Sequence, residues 1–252
     1  MLILLPPSES KSAPESGSAL DLSRLSFPEL SDDRAAMLSR LVEVSSREDA
    51  GALLKTGASL AGEVRRNLRL PDNPTAEAMD IYNGVLYDAL GYRSLGDEAR
   101  RRADGSILVF SALWGVISPT DRIPAYRLSI GASMTDVGTL ASWWKSRLTP
   151  VLDAASEGHV VVDCRSSGYA AAWKAPADRS VSIRVVRERD GKRSVVSHMA
   201  KHYRGQVARW LVESSRPIYS VDDVAEVLQP QAEVELESAG RRGAQLTMVL
   251  RD

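Results

Sequence analysis

Cysteine is almost absent from this sequence of 252 residues, which contains only Cys164. A single cysteine cannot form an internal disulfide and leaves no cysteine-based zinc cluster, so it predicts a reducing, cytoplasmic compartment. No apolar run approaches the roughly 20 residues of a membrane span. The apolar residues at the amino terminus are too few for a signal peptide and lack its basic flank. We therefore expect a soluble cytoplasmic protein with no membrane partner.

An excess of charge of one sign is also missing, since 32 Lys and Arg face 33 Asp and Glu, a formal net charge of -1. This balance excludes a polybasic tail protein, and nucleic-acid binding would need a local patch of cations. Hydrophobic residues make up 44% of the chain, enough for a core, and they exclude global disorder. Without an internal repeat or a long linker, residues 1–252 are predicted to form a single domain.

Several familiar motifs are absent as well. The sequence has no Walker loop, no GxGxxG fingerprint and no nucleophile elbow. The three histidines have no recognisable ligand spacing, so we predict no metal site and no cofactor. Cys164 is interpreted as a buried apolar residue, with a redox role as the alternative. No sequence feature predicts an oligomeric state.

The patterns that are present predict an α/β fold. Short apolar runs at residues 2–5, 106–110 and 159–163 are typical of buried strands. Helical spacing recurs between residues 32 and 68, then over 76–90, 136–152, 199–213 and 221–228, while a hairpin is expected over 181–198 and a last strand over 245–250. We predict a mixed α+β domain in which helices flank a central mixed sheet, with a helical insertion over approximately residues 32–103.

Polar residues follow each of the three apolar strands. If the strands are parallel neighbours, these residues share one edge of the sheet, where open α/β sheets bind ligands. The residues expected there are Ser8, Glu9, Lys11, Ser111, Gly115, Asp163, Arg165, Ser166, Ser167 and Tyr169. After the third strand, Arg165 and free backbone N–H groups near Ser166 favour an anion. The alternative is that Ser166 merely caps a helix.

Other candidate ligand residues lie outside these strand ends. On the helix over 199–213, Lys201, Arg204 and Gly205 are expected to share a face that a phosphate could approach, although such a face is more often simply solvated. Tyr126 and Arg127 place an aromatic ring beside a guanidinium, which suits a base or an anion. Trp114, next to a glycine at a strand end, is the tryptophan most suited to contact a ligand.

Three motifs together resemble the YaaA family of peroxide stress proteins. They are the opening MLILLPPSESK, the segment LWGVISP from residue 113 with Asp121 and then PAYRL from residue 124, and AKHYRG from residue 200. Their order and approximate spacing match the family across nearly the whole chain. The resemblance implies a cytoplasmic bacterial protein with a mixed α/β fold that limits oxidative damage under hydrogen peroxide and binds double-stranded DNA.

The resemblance also implies a helix-hairpin-helix-like element. Its counterpart here is LLKTGASLAG, residues 53–62, followed by Arg65 and Arg66. Such an element presents Lys55, Arg65 and Arg66 to phosphates without reading bases. In the matching family stretch, lysine usually stands where this chain has Asn83, so one positive charge is missing.

Two functional hypotheses follow. In the first, the protein is a non-enzymatic stress protein that binds duplex DNA through Lys55, Arg65, Arg66, Lys201 and Arg204. In the second, it is an enzyme for a small nucleotide- or nucleoside-like substrate, with glycosidic or phosphoryl-type chemistry at the strand ends. There Glu9 or Asp163 would be the acid or base, and Arg127, Arg165, Lys201 and Arg204 would hold the anion.

Overall fold

The chain is described by a computed structural model for residues 1–134, 136–238, 240 and 243–251. Its strands are β1 (Leu2–Leu5), β2 (Ala76–Glu77), β3 (Ile107–Ser111), β4 (Gly115–Ile117), β5 (Arg122–Ile123), β6 (Ser133–Met134), β7 (Gly138–Thr139), β8 (Val161–Asp163), β9 (Ser180–Arg189), β10 (Lys192–Val195), β11 (Val234–Ser238) and β12 (Ala244–Arg251). Its α-helices are α1 (Ser31–Ser45), α2 (Ala50–Leu53), α3 (Ala61–Arg66), α4 (Ala78–Ile81), α5 (Val85–Leu90), α6 (Asp97–Ser106), α7 (Leu140–Ala155), α8 (Ser167–Ala170), α9 (Ser197–Glu213) and α10 (Val221–Leu228).

A mixed sheet of eight strands forms the centre of the fold. Its order is β11-β12-β9-β8-β1-β3-β4, and β10 pairs with β9 outside this path. The strands from β12 to β3 are mutually parallel, whereas β4, β10 and β11 are antiparallel to their neighbours. Helices flank the sheet, and one continuous core of buried side chains joins the helices to it. The predicted mixed α/β single-domain fold is confirmed.

The central strand β1 is buried along its whole length because all four of its residues are apolar. It lies between β3 and β8, both parallel to it, with Leu4 opposite Leu108 on one side and Asp163 on the other. A parallel strand covered on both faces has this continuous apolar pattern. The carboxyl ends of β1, β3 and β8 therefore meet at one edge of the sheet, which we call the strand-end edge.

Helix α9 packs against α5 through Gly205. A Cβ atom at this position would overlap the carbonyl oxygen of Leu86, so only glycine allows this approach of the two helices. Gly205 is buried in this contact. The prediction that Gly205 lets a phosphate approach the helix is therefore wrong, because the residue faces a neighbouring helix.

The helix predicted over residues 76–90 is two helices. α4 ends at Ile81 and α5 begins at Val85, and between them Gly84 has a φ of 88°. That left-handed conformation suits glycine and cannot continue an α-helix. The break brings Tyr82 and Asn83 to the chain that follows β1.

The predicted insertion contains most of the helices. Helices α2 to α5 lie within residues 32–103, as do all but the first residue of α1 and the first seven of the ten residues of α6. Where the resemblance places a helix-hairpin-helix-like element, α2 is followed by a turn, a 3-10 turn at Ala58–Leu60 and then α3. That element stays a prediction, because α2 has only four residues. Among the described residues, no helix combines the length and apolar character needed to cross a membrane.

The motif around Trp114 and Asp121 stabilises the β3–β4 connection. The fully buried guanidinium of Arg34 donates to the carbonyl oxygens of Trp114 and Val116, at 3.1 and 2.8 Å. The Asp121 carboxylate accepts from the backbone N–H groups of Ser26 and Ser118. These contacts satisfy backbone groups that burial would otherwise leave unpaired, so this part of the family motif is structural.

Candidate functional site

Lys11 is the central residue of the strand-end edge. The chain beyond β1 bends at Glu9 and Ser10, and Lys11 then forms an isolated β-bridge with Tyr82. Its ammonium nitrogen lies 4.3 Å from the ring centre of Tyr126 and 5.6 Å from that of Tyr82. The same nitrogen donates to the carbonyl oxygen of Ser8 at 2.6 Å. Lys11 is therefore turned inward, between two aromatic rings.

Burial changes the protonation of Lys11. Removing the amine from water penalises the charged form, and this lowers the pKa of Lys11 to about 7. The carboxylates of Glu9 and Glu63 oppose the shift, whereas the nearby guanidinium of Arg127 adds to it. At neutral pH a large fraction of this amine is uncharged and has a free electron pair.

A chain of hydroxyl groups lies beside the amine. The Tyr126 hydroxyl is 2.7 Å from Ser111 Oγ and 3.0 Å from the Tyr82 hydroxyl. Ser111 Oγ also accepts from the backbone N–H groups of Leu113 and Trp114, which leaves its proton directed to Tyr126. Burial raises the pKa of Tyr82 and Tyr126, so both remain protonated at neutral pH.

Arg127 connects the strand-end edge to the helical insertion. Its guanidinium lies 3.3 Å from the Glu9 carboxylate and 3.7 Å from that of Glu63 in α3, and it donates to the Glu9 carbonyl oxygen at 3.0 Å. The buried amide of Asn67 holds the Arg127 backbone at both its N–H and its carbonyl oxygen. We call Glu9, Lys11, Tyr82, Tyr126 and Arg127 the Lys11 cluster.

Asp163 and Arg165 bind each other. The Arg165 guanidinium donates to both carboxylate oxygens of Asp163, at 2.9 and 2.6 Å, and to the carbonyl oxygens of Tyr169 and Trp173. Its side chain is only 1% exposed and lies over the ring of Phe110. Asp163 and Arg165 thus form an internal ion pair, and this guanidinium is already occupied by partners within the protein.

The remaining predicted ligand residues are placed differently. Trp114 is fully buried, and its ring packs at 79° to that of Tyr126 with 5.8 Å between the ring centres, so it lies behind the Lys11 cluster. Tyr169 is also buried, and its hydroxyl has no hydrogen-bond partner of ordinary geometry among the described residues. Ser8 accepts from the Asn83 N–H, and Ser166 precedes α8 without a side-chain capping bond.

The two cations predicted on α9 do not join this cluster. Lys201 is exposed, and Arg204 reaches the carbonyl oxygen of Ile183 in β9 at 3.4 Å. In the described part of the chain, no hydrogen bond or ion pair links either residue to Lys11. Arg204 lies near Cys164, a buried thiol whose pKa burial raises to about 12. The strand-end edge therefore brings together Glu9, Lys11, Tyr126 and Arg127, while the α9 cations lie apart.

A second group of cations occupies the helical insertion. Lys55 lies in the turn after α2 with a φ of 52°, and Arg65 and Arg66 end α3. Arg69 follows in a 3-10 turn. Lys55, Arg65 and Arg69 are exposed and Arg66 is partly exposed, and within the described residues none of the four forms an ion pair. We call residues 55–69 the basic segment.

Sequence reasoning missed three residues of this region as parts of a site. Tyr82 supplies a ring to the Lys11 cluster, Glu63 pairs with Arg127, and Asn67 holds the Arg127 backbone. Helical periodicity marks none of them, because all three act through tertiary contacts. The Asn83–Gly84 pair was the available signal for Tyr82, since this dipeptide favours a turn. Within the described residues, no three His, Cys, Asp or Glu side chains are grouped to hold a metal ion.

The matches to known proteins include both the Lys11 cluster and the basic segment. Residues 1–231 match the family model described as peroxide stress protein YaaA. A UPF0246 protein of Streptomyces coelicolor is 40% identical over 249 residues, which are 96% of this chain and 95% of the relative. UPF0246 proteins of Corynebacterium efficiens and Corynebacterium glutamicum are 37% and 35% identical, and each match covers 99% of this chain and 100% of the relative.

Proposed function

The chain belongs to the YaaA family of peroxide stress proteins, and from this premise we propose that it binds the backbone of double-stranded DNA through the basic segment. The proposed compartment is the cytoplasm. Lys55, Arg65 and Arg66 supply the phosphate contacts, and Arg69 adds a fourth cation. Such contacts fix a protein on a duplex without reading its sequence.

The observation that carries this proposal is the absence of acidic partners around these four cations in the described structure. Several exposed arginines elsewhere are paired, among them Arg93 with Asp80, Arg101 with Glu98, and Arg216 with Glu226. Within the described residues, Arg24, Arg184 and Arg189 are exposed and form no ion pair, but they do not lie together in one short stretch of the chain as the four cations of the basic segment do. A paired arginine must give up a carboxylate before it can bind a phosphate. In the described part of the chain, the cations of the basic segment have no such ion pair to break. A chain with a net charge of -1 therefore still offers a local surface to a polyanion.

The test is a salt titration of duplex binding, measured by fluorescence anisotropy at low ionic strength. The triple variant Lys55→Gln, Arg65→Gln, Arg66→Gln should flatten the slope of log K against log salt by roughly 2 to 3, since each phosphate contact contributes about 0.9. A matched control, Arg101→Gln, Arg193→Gln, Arg216→Gln, removes the same charge from ion-paired positions. Equal slopes for the two triple variants, or no duplex binding at low salt, would overturn the proposal.

A second candidate function is an enzyme for a small nucleotide- or nucleoside-like substrate at the Lys11 cluster. It is favoured by the convergence of an inward amine, two tyrosine hydroxyls and the Glu9 carboxylate. A neighbouring cavity of about 370 Å³ is lined by Tyr82, Asn83, Tyr87 and Tyr92 among others, and its volume suits such a molecule. In this candidate, Glu9 is the acid or base, because the Asp163 carboxylate is held by Arg165.

Ligand-induced stabilisation tests the second candidate. We expect the melting temperature of the protein to rise by several degrees with at least one nucleoside, nucleotide or sugar phosphate at saturating concentration. Glu9→Gln should retain that shift and lose turnover, while Glu157→Gln serves as an exposed control. The absence of a thermal shift with all of these ligands would remove this candidate without affecting the duplex proposal.

A further inference from the structure

Lys11 differs from the other five lysines of the chain in the position of its amine. Lys55, Lys145, Lys174, Lys192 and Lys201 are exposed. The Lys11 amine instead lies between the rings of Tyr82 and Tyr126 and against the carbonyl oxygen of Ser8. A chemical reagent that needs an uncharged amine therefore meets two very different kinds of lysine on this protein.

Two features of this environment activate an amine as a nucleophile. Desolvation beside two aromatic rings and a neighbouring cation both favour the uncharged form. Here burial is the main cause of the lowered pKa of Lys11, and Arg127 adds to it against the larger opposing effect of the Glu9 carboxylate. The pKa of Lys11, lowered to about 7, leaves about half of the amine uncharged at pH 7. An ordinary lysine has roughly one uncharged amine in 2,500 at that pH.

The surroundings of the amine also suit the rest of a carbonyl reaction. The linked hydroxyls of Ser111, Tyr126 and Tyr82 can pass a proton to an oxygen that leaves as water. Glu9 is near enough to Lys11 to influence its charge and is exposed to solvent. The Lys11 cluster, which shares Tyr82 with the neighbouring cavity, thus contains a nucleophile and lies beside proton carriers.

The basic segment adjoins the Lys11 cluster through Arg127. The guanidinium of Arg127 touches Glu9 on the strand-end side and Glu63 on the α3 side, and Glu63 precedes Arg65 and Arg66 by one turn of chain or less. A substrate with both a carbonyl carbon and a phosphate could place the carbonyl at Lys11 and the phosphate towards the α3 arginines. A phosphorylated sugar in its open-chain form has both groups.

We propose that Lys11 is a nucleophile that forms an imine with the aldehyde of a phosphorylated sugar, whether the sugar is free or stands at a base-free position of a DNA duplex. The proposal rests on the second candidate function, because it uses the same Lys11 cluster, and its duplex form also rests on the first. The proposal names the substrate class of the Lys11 cluster and the bond that forms there, a C=N bond between Lys11 and the aldehyde carbon.

The reaction balances without an oxidant or a reductant. The electron pair of Lys11 Nζ forms a bond to the aldehyde carbon, and the C=O π pair moves to the oxygen, which takes a proton. The resulting carbinolamine loses its oxygen as water while the C=N bond forms. One amine and one aldehyde thus give one imine and one water, and protonation of the imine takes one further proton from solvent.

Reductive trapping tests the proposal on the full chain. The protein is incubated at pH 7 with sodium cyanoborohydride and 2-deoxyribose 5-phosphate, or with a duplex that contains one abasic site, and the modified lysine is located by peptide mass spectrometry. We expect at least tenfold more adduct at Lys11 than at any of the five exposed lysines, with half-maximal rate near pH 7. Adduct spread evenly over the exposed lysines, or none at Lys11 with either aldehyde, would overturn the proposal.

Variants and a reduced analogue separate the possible outcomes. Lys11→Arg keeps a cation but cannot form an imine, so it should lose at least 90% of the adduct, while the exposed control Lys174→Arg should keep it. If Lys11→Arg does not fold, the distribution of adduct over the six lysines of the native chain, located by peptide mass spectrometry, decides the question. 2-Deoxyribitol 5-phosphate has no carbonyl: if it raises the melting temperature and no adduct forms at Lys11, the pocket function stands and the imine is wrong. Adduct with only one of the two aldehydes identifies whether the source is the free sugar or the duplex.

Discussion

The strand-end edge and the basic segment both contain cations, and they hold them in opposite ways. At the strand-end edge, Arg165 is bound by Asp163, Arg127 is bound by Glu9 and Glu63, and Lys11 is buried enough to lose its proton near neutral pH. In the basic segment, the cations are at least partly exposed and have no acidic partner among the described residues.

The difference teaches what each region can bind. A buried charge must be neutralised by a partner or by loss of its proton, because desolvation costs several kcal/mol. The strand-end edge has already satisfied this demand internally, so it offers a reactive amine and hydroxyls rather than net charge. The basic segment offers charge that nothing inside the protein consumes, which is what a polyanion requires.

The comparison predicts the largest loss of stability for Asp163→Asn. This change leaves the buried Arg165 guanidinium without its counter-charge, and breaking one side of a buried ion pair costs about 3 kcal/mol or more. Urea unfolding at pH 7 measures the loss. The matched control is Asp49→Asn, which removes the partner of Arg47 in an exposed pair and should leave the midpoint unchanged. Similar midpoints for the two variants would show that the Asp163–Arg165 ion pair does not stabilise the fold more than an exposed pair does.

The next prediction concerns the pH dependence of stability at Lys11. The folded-state pKa, about 7, is below the unfolded value near 10.5, so between these values the unfolded chain binds more protons. Stability therefore rises with pH in this window, and the cost of burying the charge is fully present below pH 7. Relative to Lys11→Met, which has no titrating group there, the native chain should gain roughly 2 kcal/mol between pH 7 and pH 9.

Urea unfolding of both proteins at several pH values measures this difference. Taking the difference removes the contribution of every other titrating group, since those groups are common to the two chains. A constant difference from pH 7 to pH 9 would mean that the Lys11 amine keeps its ordinary proton affinity. The inferred nucleophile would then lose its physical basis, although the duplex proposal would be unaffected.

The strand-end edge could be predicted from the sequence because each of its strands is a short, uninterrupted apolar run. The unbroken apolar runs that became β1, β3 and β8 are typical of buried strands, and the structure makes them parallel neighbours, so the polar residues that follow them lie at one edge of the sheet. The sequence could not predict the partners of those polar residues. Arg165 was expected to hold an external anion, yet Asp163, two residues earlier, occupies it. Tyr82 and Asn67 come from the helical insertion over residues 32–103. The spacing of apolar residues does not predict which helix end lies against a given edge of the sheet.

The smallest expected effect on stability is that of the triple variant Lys55→Gln, Arg65→Gln, Arg66→Gln. These side chains make no ion pair in the described structure, and their removal relieves only a screened repulsion worth a few tenths of a kcal/mol. The free energy of unfolding should stay within about 0.5 kcal/mol of the native value while the salt slope of duplex binding falls. Urea unfolding at low and high salt checks this, and the native chain should gain slightly more from added salt than the variant. A loss above about 1.5 kcal/mol would mean that these cations pack into the fold as those of the strand-end edge do, and the contrast between the two regions would disappear.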